Sequence, residues 1–113
     1  MMKKSLEDVL EFSADRVTKR ILFQQGDSVA FVLNFAPGQA LPAHRHPGAV
    51  LYVLVLEGSG AVTVDGTETN LTAGDVICCG GEELFAFRNT GGEPCRLYVV
   101  LSKIPGERYA RDN

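Results

Sequence analysis

Twelve glycines cut this 113-residue chain into short runs rich in branched and aromatic residues. Such runs between tight turns read as strands, and many short strands closed by regular turns build a sandwich or a barrel. The runs fall at 17–24, 28–36, 49–56, 61–64, 67–71, 76–79, 84–88 and 96–101. In the second, Val29, Phe31, Leu33 and Phe35 alternate with Ala30, Val32 and Asn34, which places one strongly apolar face against a core. The run at 49–56 is apolar without a break, so both of its faces are expected to be covered. Asp65-Gly66 is a strong two-residue hairpin signal.

Ser5 to Phe12 is either a short helix opened by a Ser5/Asp8 capping box or an edge strand, and no longer helix is visible. The expectation is an all-β single domain over 1–113, with its core at about 17–102. Pro105-Gly106 opens a polar tail at 105–113 that is expected to be poorly ordered.

Charge narrows the partners. The net charge is −3 and the eleven basic residues are scattered, so no positive field is built to hold nucleic acid or an anionic membrane. Lys3 and Lys4 are followed by Glu7, Asp8 and Glu11, which a secretory apolar region does not tolerate. No apolar run reaches the roughly 18 residues of a membrane span. Three cysteines without a Cys-x-x-Cys pair make neither a disulfide scaffold nor a zinc ribbon, and reduced thiols in the cytoplasm are the simplest setting.

The chemistry concentrates in Gly38-Gln39-Ala40-Leu41-Pro42-Ala43-His44-Arg45-His46, which holds the only two histidines. On an extended segment residues two apart share a face, so His44 and His46 are expected side by side with Arg45 pointing away. Two adjacent imidazoles can ligate one metal ion. Equally, they can hydrogen-bond a polar small molecule.

Here the chain resembles the cupin family. The first cupin motif runs Gly, five residues, His-x-His, three or four residues, Glu, six residues, Gly. Gly38, His44, His46 and Gly58 match it. Gly74 and Asn89 open and close the second motif at its spacing. The resemblance implies a double-stranded β-helix, or jelly-roll, barrel with the histidines at its mouth. It implies dimerisation too, since the outer residues of the 49–56 run, Val50, Tyr52, Leu54 and Leu56, need a second sheet or a partner subunit to cover them.

The motifs also depart from the family. Its glutamate falls at Leu51, or at Val50 with the shorter spacing, and its second-motif histidine falls at Phe85. Two of four ligands remain, which implies at most weakly bound Fe, Mn, Ni or Zn. A third ligand would have to come from Cys78, Cys79 or Glu83. Leu51, Val53, Phe85 and Phe87 would instead floor an apolar pocket beneath His44 and His46, suited to a small organic ligand with a polar head. Side chains that simply fill the barrel are the plainer alternative.

Three functions stay open. The chain is a small-molecule-binding barrel with a degenerate metal site, a metal-dependent dioxygenase or isomerase with a nonstandard ligand set, or a structural barrel with incidental histidines.

Overall fold

The computed structural model describes residues 1–103 and 107–113. Nine strands run in chain order: β1 Thr18–Gln25, β2 Ser28–Phe35, β3 Ala40–His44, β4 Val50–Glu57, β5 Ser59–Val64, β6 Thr67–Thr72, β7 Val76–Gly80, β8 Phe85–Arg88 and β9 Cys95–Ser102. Two antiparallel sheets result, ordered β1-β2-β9-β4-β7 and β3-β8-β5-β6. They face one another across one apolar core, as a jelly-roll barrel requires.

Alternation along the strands decides what enters that core. Val29, Phe31, Leu33 and Phe35 of β2, Leu51, Val53 and Val55 of β4, and Leu97, Val99 and Leu101 of β9 are buried together. Burying a side chain of this size is worth about 1.5–3 kcal/mol relative to leaving it exposed, so this face fixes the strand registers. The β5–β6 hairpin turns through Asp65 and Gly66 with φ of 48° and 84°. Those are the two left-handed positions that a type I′ turn demands and that Asp-Gly supplies.

The opposite face of β4 departs from the expectation of two buried faces. Tyr52 is 47% exposed, and Val50, Leu54 and Leu56 are half-buried. The N-terminal segment covers only part of this outer surface. Ser5 and Asp8 do form a capping box, but they cap a single 3-10 turn, Leu6–Val9, and not a helix of several turns. Val9 packs there with Leu22 and Val32.

Beneath that segment lies a buried polar cluster. Asn34 Nδ2 donates to the Val9 carbonyl at 2.9 Å, while Arg96 Nε donates to Asn34 Oδ1 at 2.9 Å.

One irregularity places the site. β1 and β2 pair regularly from Gln25↔Ser28 to Phe23↔Ala30, then Ile21 pairs with Phe31, so Leu22 is an extra residue. This bulge reverses the facing of everything before it. Lys19 therefore lies opposite Leu33, on the core side of the sheet, and not Arg20.

The tail also differs from its expectation. The turn foreseen at Pro105-Gly106 lies outside the described residues. Beyond it, Glu107–Ala110 forms a 3-10 turn and the last residues dock along β1, an edge strand of its sheet. Ile21 N donates to Asp112 Oδ1 at 2.7 Å and Lys19 N to Asn113 Oδ1 at 2.8 Å; Asn113 Nδ2 donates to the Val17 carbonyl at 3.1 Å. An edge strand leaves a row of unpaired backbone groups, and these contacts satisfy part of it. Among the described residues no helix is long and apolar enough to cross a membrane.

Candidate functional site

The site starts from how the chain leaves β3. The strand ends at His44, and a turn at Pro47-Gly48, with Gly48 at φ 83°, carries the chain toward β4. His46 therefore sits in a loop, and not on the two-residue strand repeat that the sequence suggests. The loop is pinned to the β7–β8 turn: His46 N donates to the Gly81 carbonyl at 2.8 Å, and Ala49 N donates to the His46 carbonyl at 2.9 Å. Gly81 is required for this approach. A Cβ there would lie 2.0 Å from the His46 carbonyl oxygen, a backbone atom that cannot step aside.

The two rings still meet. Their centroids are 4.4 Å apart in an edge-to-face arrangement at 74°. Arg45 points away and donates from Nε to the Glu82 carbonyl. His44 Nδ1 lies 2.8 Å from the Pro42 carbonyl, which only accepts, so Nδ1 carries the proton and Nε2 is the ring atom left for a ligand. His46 is 6% exposed. Burial first, then the nearby His44 and Lys19, push its pKa down to about 4, so it is a neutral imidazole at neutral pH.

Both histidines open onto a cavity of about 310 Å³, at the small end of ligand-site volumes. Leu51, Val53 and Phe85, placed in the pocket on sequence grounds, line it with them. Phe85 is the cross-strand partner of His44, their rings 6.2 Å apart at 89°. Phe87 does not line the cavity. It packs deeper, 5.0 Å from the ring of Phe35, in a space left by Gly60.

None of the three residues considered as a third ligand joins the histidines in a metal-holding group among the described residues. Cys78 is exposed and pairs with Tyr52 on the outer face. Cys79 faces the core, and burial raises the pKa of its thiol, which disfavours the thiolate a metal needs. Glu83 turns back on its own loop, where Oε1 accepts from Gly80 N at 2.7 Å. With Leu51 and Phe85 at the remaining two motif positions, the residues present do not fit a four-ligand metal centre.

Of the lining residues not identified from sequence, two bring polar groups. Lys19 lines the cavity from β1, its Nζ 4.7 Å from the centre of the Phe31 ring and donating to the Tyr109 carbonyl at 2.9 Å. Tyr109, from the docked tail, sets its ring 5.6 Å from that of His46. A bulge hid the first and a polar-looking tail the second.

Two facing antiparallel sheets with a polar pair at the mouth of an apolar interior define a double-stranded β-helix barrel. Residues 31–101 match the family model described as a cupin domain, and the chain belongs to the cupin family. It is 33% identical over 64 residues to 5-nitrosalicylic acid 1,2-dioxygenase of a Bradyrhizobium species, covering 57% of this chain and 30% of that protein. It is 41% identical over 56 residues to dimethylsulfoniopropionate lyase DddW of Ruegeria pomeroyi, covering 50% and 36%. The chain thus spans about a third of the length of these two relatives. Among solved structures, TT1209 of Thermus thermophilus superposes with a TM-score of 0.87 at 27% identity, covering 93% of this chain and all of that one.

Proposed function

We propose that this chain is a small-molecule-binding barrel whose family metal site has been replaced by an apolar pocket. One observation carries the reading: Leu51 and Phe85 stand at two ligand positions and wall a cavity that His44 and His46 share. A hydrocarbon body gains burial against such walls, and the imidazoles orient a polar head. The three free cysteines support a reducing, cytoplasmic setting. The outer face bearing Tyr52 and Val76, 47% and 68% exposed, supports pairing with a second copy of the chain.

The second reading is a metal-dependent enzyme, favoured by the close histidine pair and by relatives named as a dioxygenase and a lyase. Elemental analysis and native mass spectrometry of protein purified without added metal separate the two. A co-purified organic molecule with no stoichiometric metal is the expected result. Near-stoichiometric iron, manganese, nickel or zinc, lost in His44→Ala/His46→Ala, would overturn the binding-only reading.

A further inference from the structure

The cavity has an asymmetry that the histidines do not explain. Its walls are Phe31 and Leu33 of β2, Leu51 and Val53 of β4, and neighbouring aliphatic groups, yet Lys19 sets an ammonium among them. That ammonium is not there by its own preference. Burial lowers its pKa, and the opposing charge acting on it is Asp112 on the docked tail, which is itself exposed. Among the described residues no carboxylate lines the cavity and no salt bridge involves Lys19. An ammonium has three donors, and the described residues give it one hydrogen bond, to the Tyr109 carbonyl, and the face of Phe31.

The charge balance narrows the ligand. One ammonium and two imidazoles line the cavity with no carboxylate among the described residues, which matches a single negative charge. Arginine forks and helix N-termini, which suit phosphate, do not line the cavity among the described residues. The apolar walls call for a hydrocarbon or aryl body, and the volume of about 310 Å³ calls for a small one.

We propose that the cavity binds a small organic monocarboxylate, with Lys19 as the counter-charge to its carboxylate and His44 and His46 as flanking hydrogen-bond partners. The proposal rests on the ligand-binding reading above and names its ligand class. The bulge at Leu22 is what makes it specific to this chain, since a regular β1 would turn Lys19 outward.

Calorimetric titration of the full chain with three probes of one shape tests it: 2-naphthoate, the neutral 2-naphthamide and the dianionic 2-naphthyl phosphate. Binding of 2-naphthoate is expected to be about tenfold or more tighter than that of 2-naphthamide, as a charge-assisted hydrogen bond implies. In Lys19→Met the preference should vanish while 2-naphthamide still binds. Because Lys19 also tethers the tail, the ratio of the two affinities is the readout: loss of the tether alone weakens both probes together. Lys19→Gln repeats the test should the methionine variant fail to fold, and Lys19→Arg should keep the preference. Equal binding of naphthoate and naphthamide, or a preference that survives Lys19→Met, overturns the carboxylate assignment and leaves the ligand-binding reading intact. Tighter binding of the phosphate overturns the monocarboxylate class. If none of the three binds the folded parent protein at millimolar concentration, both readings fall.

Discussion

His44 and Phe85 are cross-strand partners on β3 and β8, with their rings perpendicular at 6.2 Å. The aromatic ring therefore stands beside an imidazole at the position where the family motif places a ligand. Phe85→His should set a third imidazole in register with the first two, and adding Leu51→Glu should supply the carboxylate. The double variant is expected to be less stable than the parent when metal-free, because it buries a carboxyl group in an apolar wall. Divalent nickel or manganese should then raise its melting temperature; a metal at 100 times its Kd contributes about 2.7 kcal/mol. The parent should show no comparable shift in the same thermal-melt titration.

The buried imidazole makes stability depend on pH. His46 has a folded-state pKa of about 4, below its ordinary value of 6.5. Between those values the unfolded chain binds more protons than the folded one, so folding weakens as pH falls. The contribution is fully present above about pH 6.5 and is lost progressively toward pH 4, amounting at most to about 3 kcal/mol. Urea midpoints of the metal-free protein and of His46→Gln, measured from pH 7.5 to 4.5, isolate it. The difference between the two curves should be flat above pH 7 and slope below 6.5.

Gly81 should tolerate no side chain. An alanine Cβ would meet the His46 and Ala49 carbonyl oxygens at 2.0 and 2.4 Å, and both are backbone atoms. Gly81→Ala is expected to cost about 2–4 kcal/mol, in the range of overpacking and lost backbone hydrogen bonds. NMR resonances of the His46 loop should shift while the β5–β6 hairpin stays as it is. A folded variant with unchanged stability would show that the loop does not depend on this close contact.

The polar cluster under the N-terminal segment gives a further stability test. Asn34 is fully buried and joins Arg96 to the Val9 carbonyl. Asn34→Leu should leave Arg96 Nε without its acceptor, while its other nitrogen keeps the Leu6 carbonyl, and cost about 2–3 kcal/mol by chemical denaturation. The pocket, on the other side of the sheet, should keep its affinity for ligand.

Release of the tail should be visible without unfolding. Asp112→Ala/Asn113→Ala removes the acceptors that hold Ile21 N and Lys19 N. Amide exchange at those two positions should accelerate, while β4 and β9 amides in the sheet centre stay protected. Global stability should change by less than about 1 kcal/mol, because the lost contacts are exposed.

Much of this molecule is readable from its sequence where the relevant physics is local. The alternation in β2 names its core face and Asp65-Gly66 names its own turn, while it is the resemblance to the cupin motifs from Gly38 to Asn89 that implies Leu51 and Phe85 beside the histidines. Three features resist such reading because they depend on partners distant in sequence. His46 leaves the strand because Pro47-Gly48 turns the chain, yet its ring returns to His44 through a backbone contact with Gly81, 35 positions on. Lys19 enters the cavity only because of the bulge at Leu22, and a regular hairpin would have favoured Arg20. Tyr109 reaches the site because the tail finds its hydrogen-bond partners on β1, about 90 residues earlier in the chain. A polar composition predicts no such docking.

The bulge at Leu22 has a wider consequence. Two basic residues, Lys19 and Arg20, stand next to each other, and a single supernumerary position between them and the hairpin turn selects which one the interior receives. Which of the two cationic groups faces the chamber is thus a matter of arithmetic along one hairpin. Inserting or deleting one amino acid there would exchange a compact point charge for a planar fork, and would also turn Val17 and Ile21, which pack with the core, outward along with Lys19.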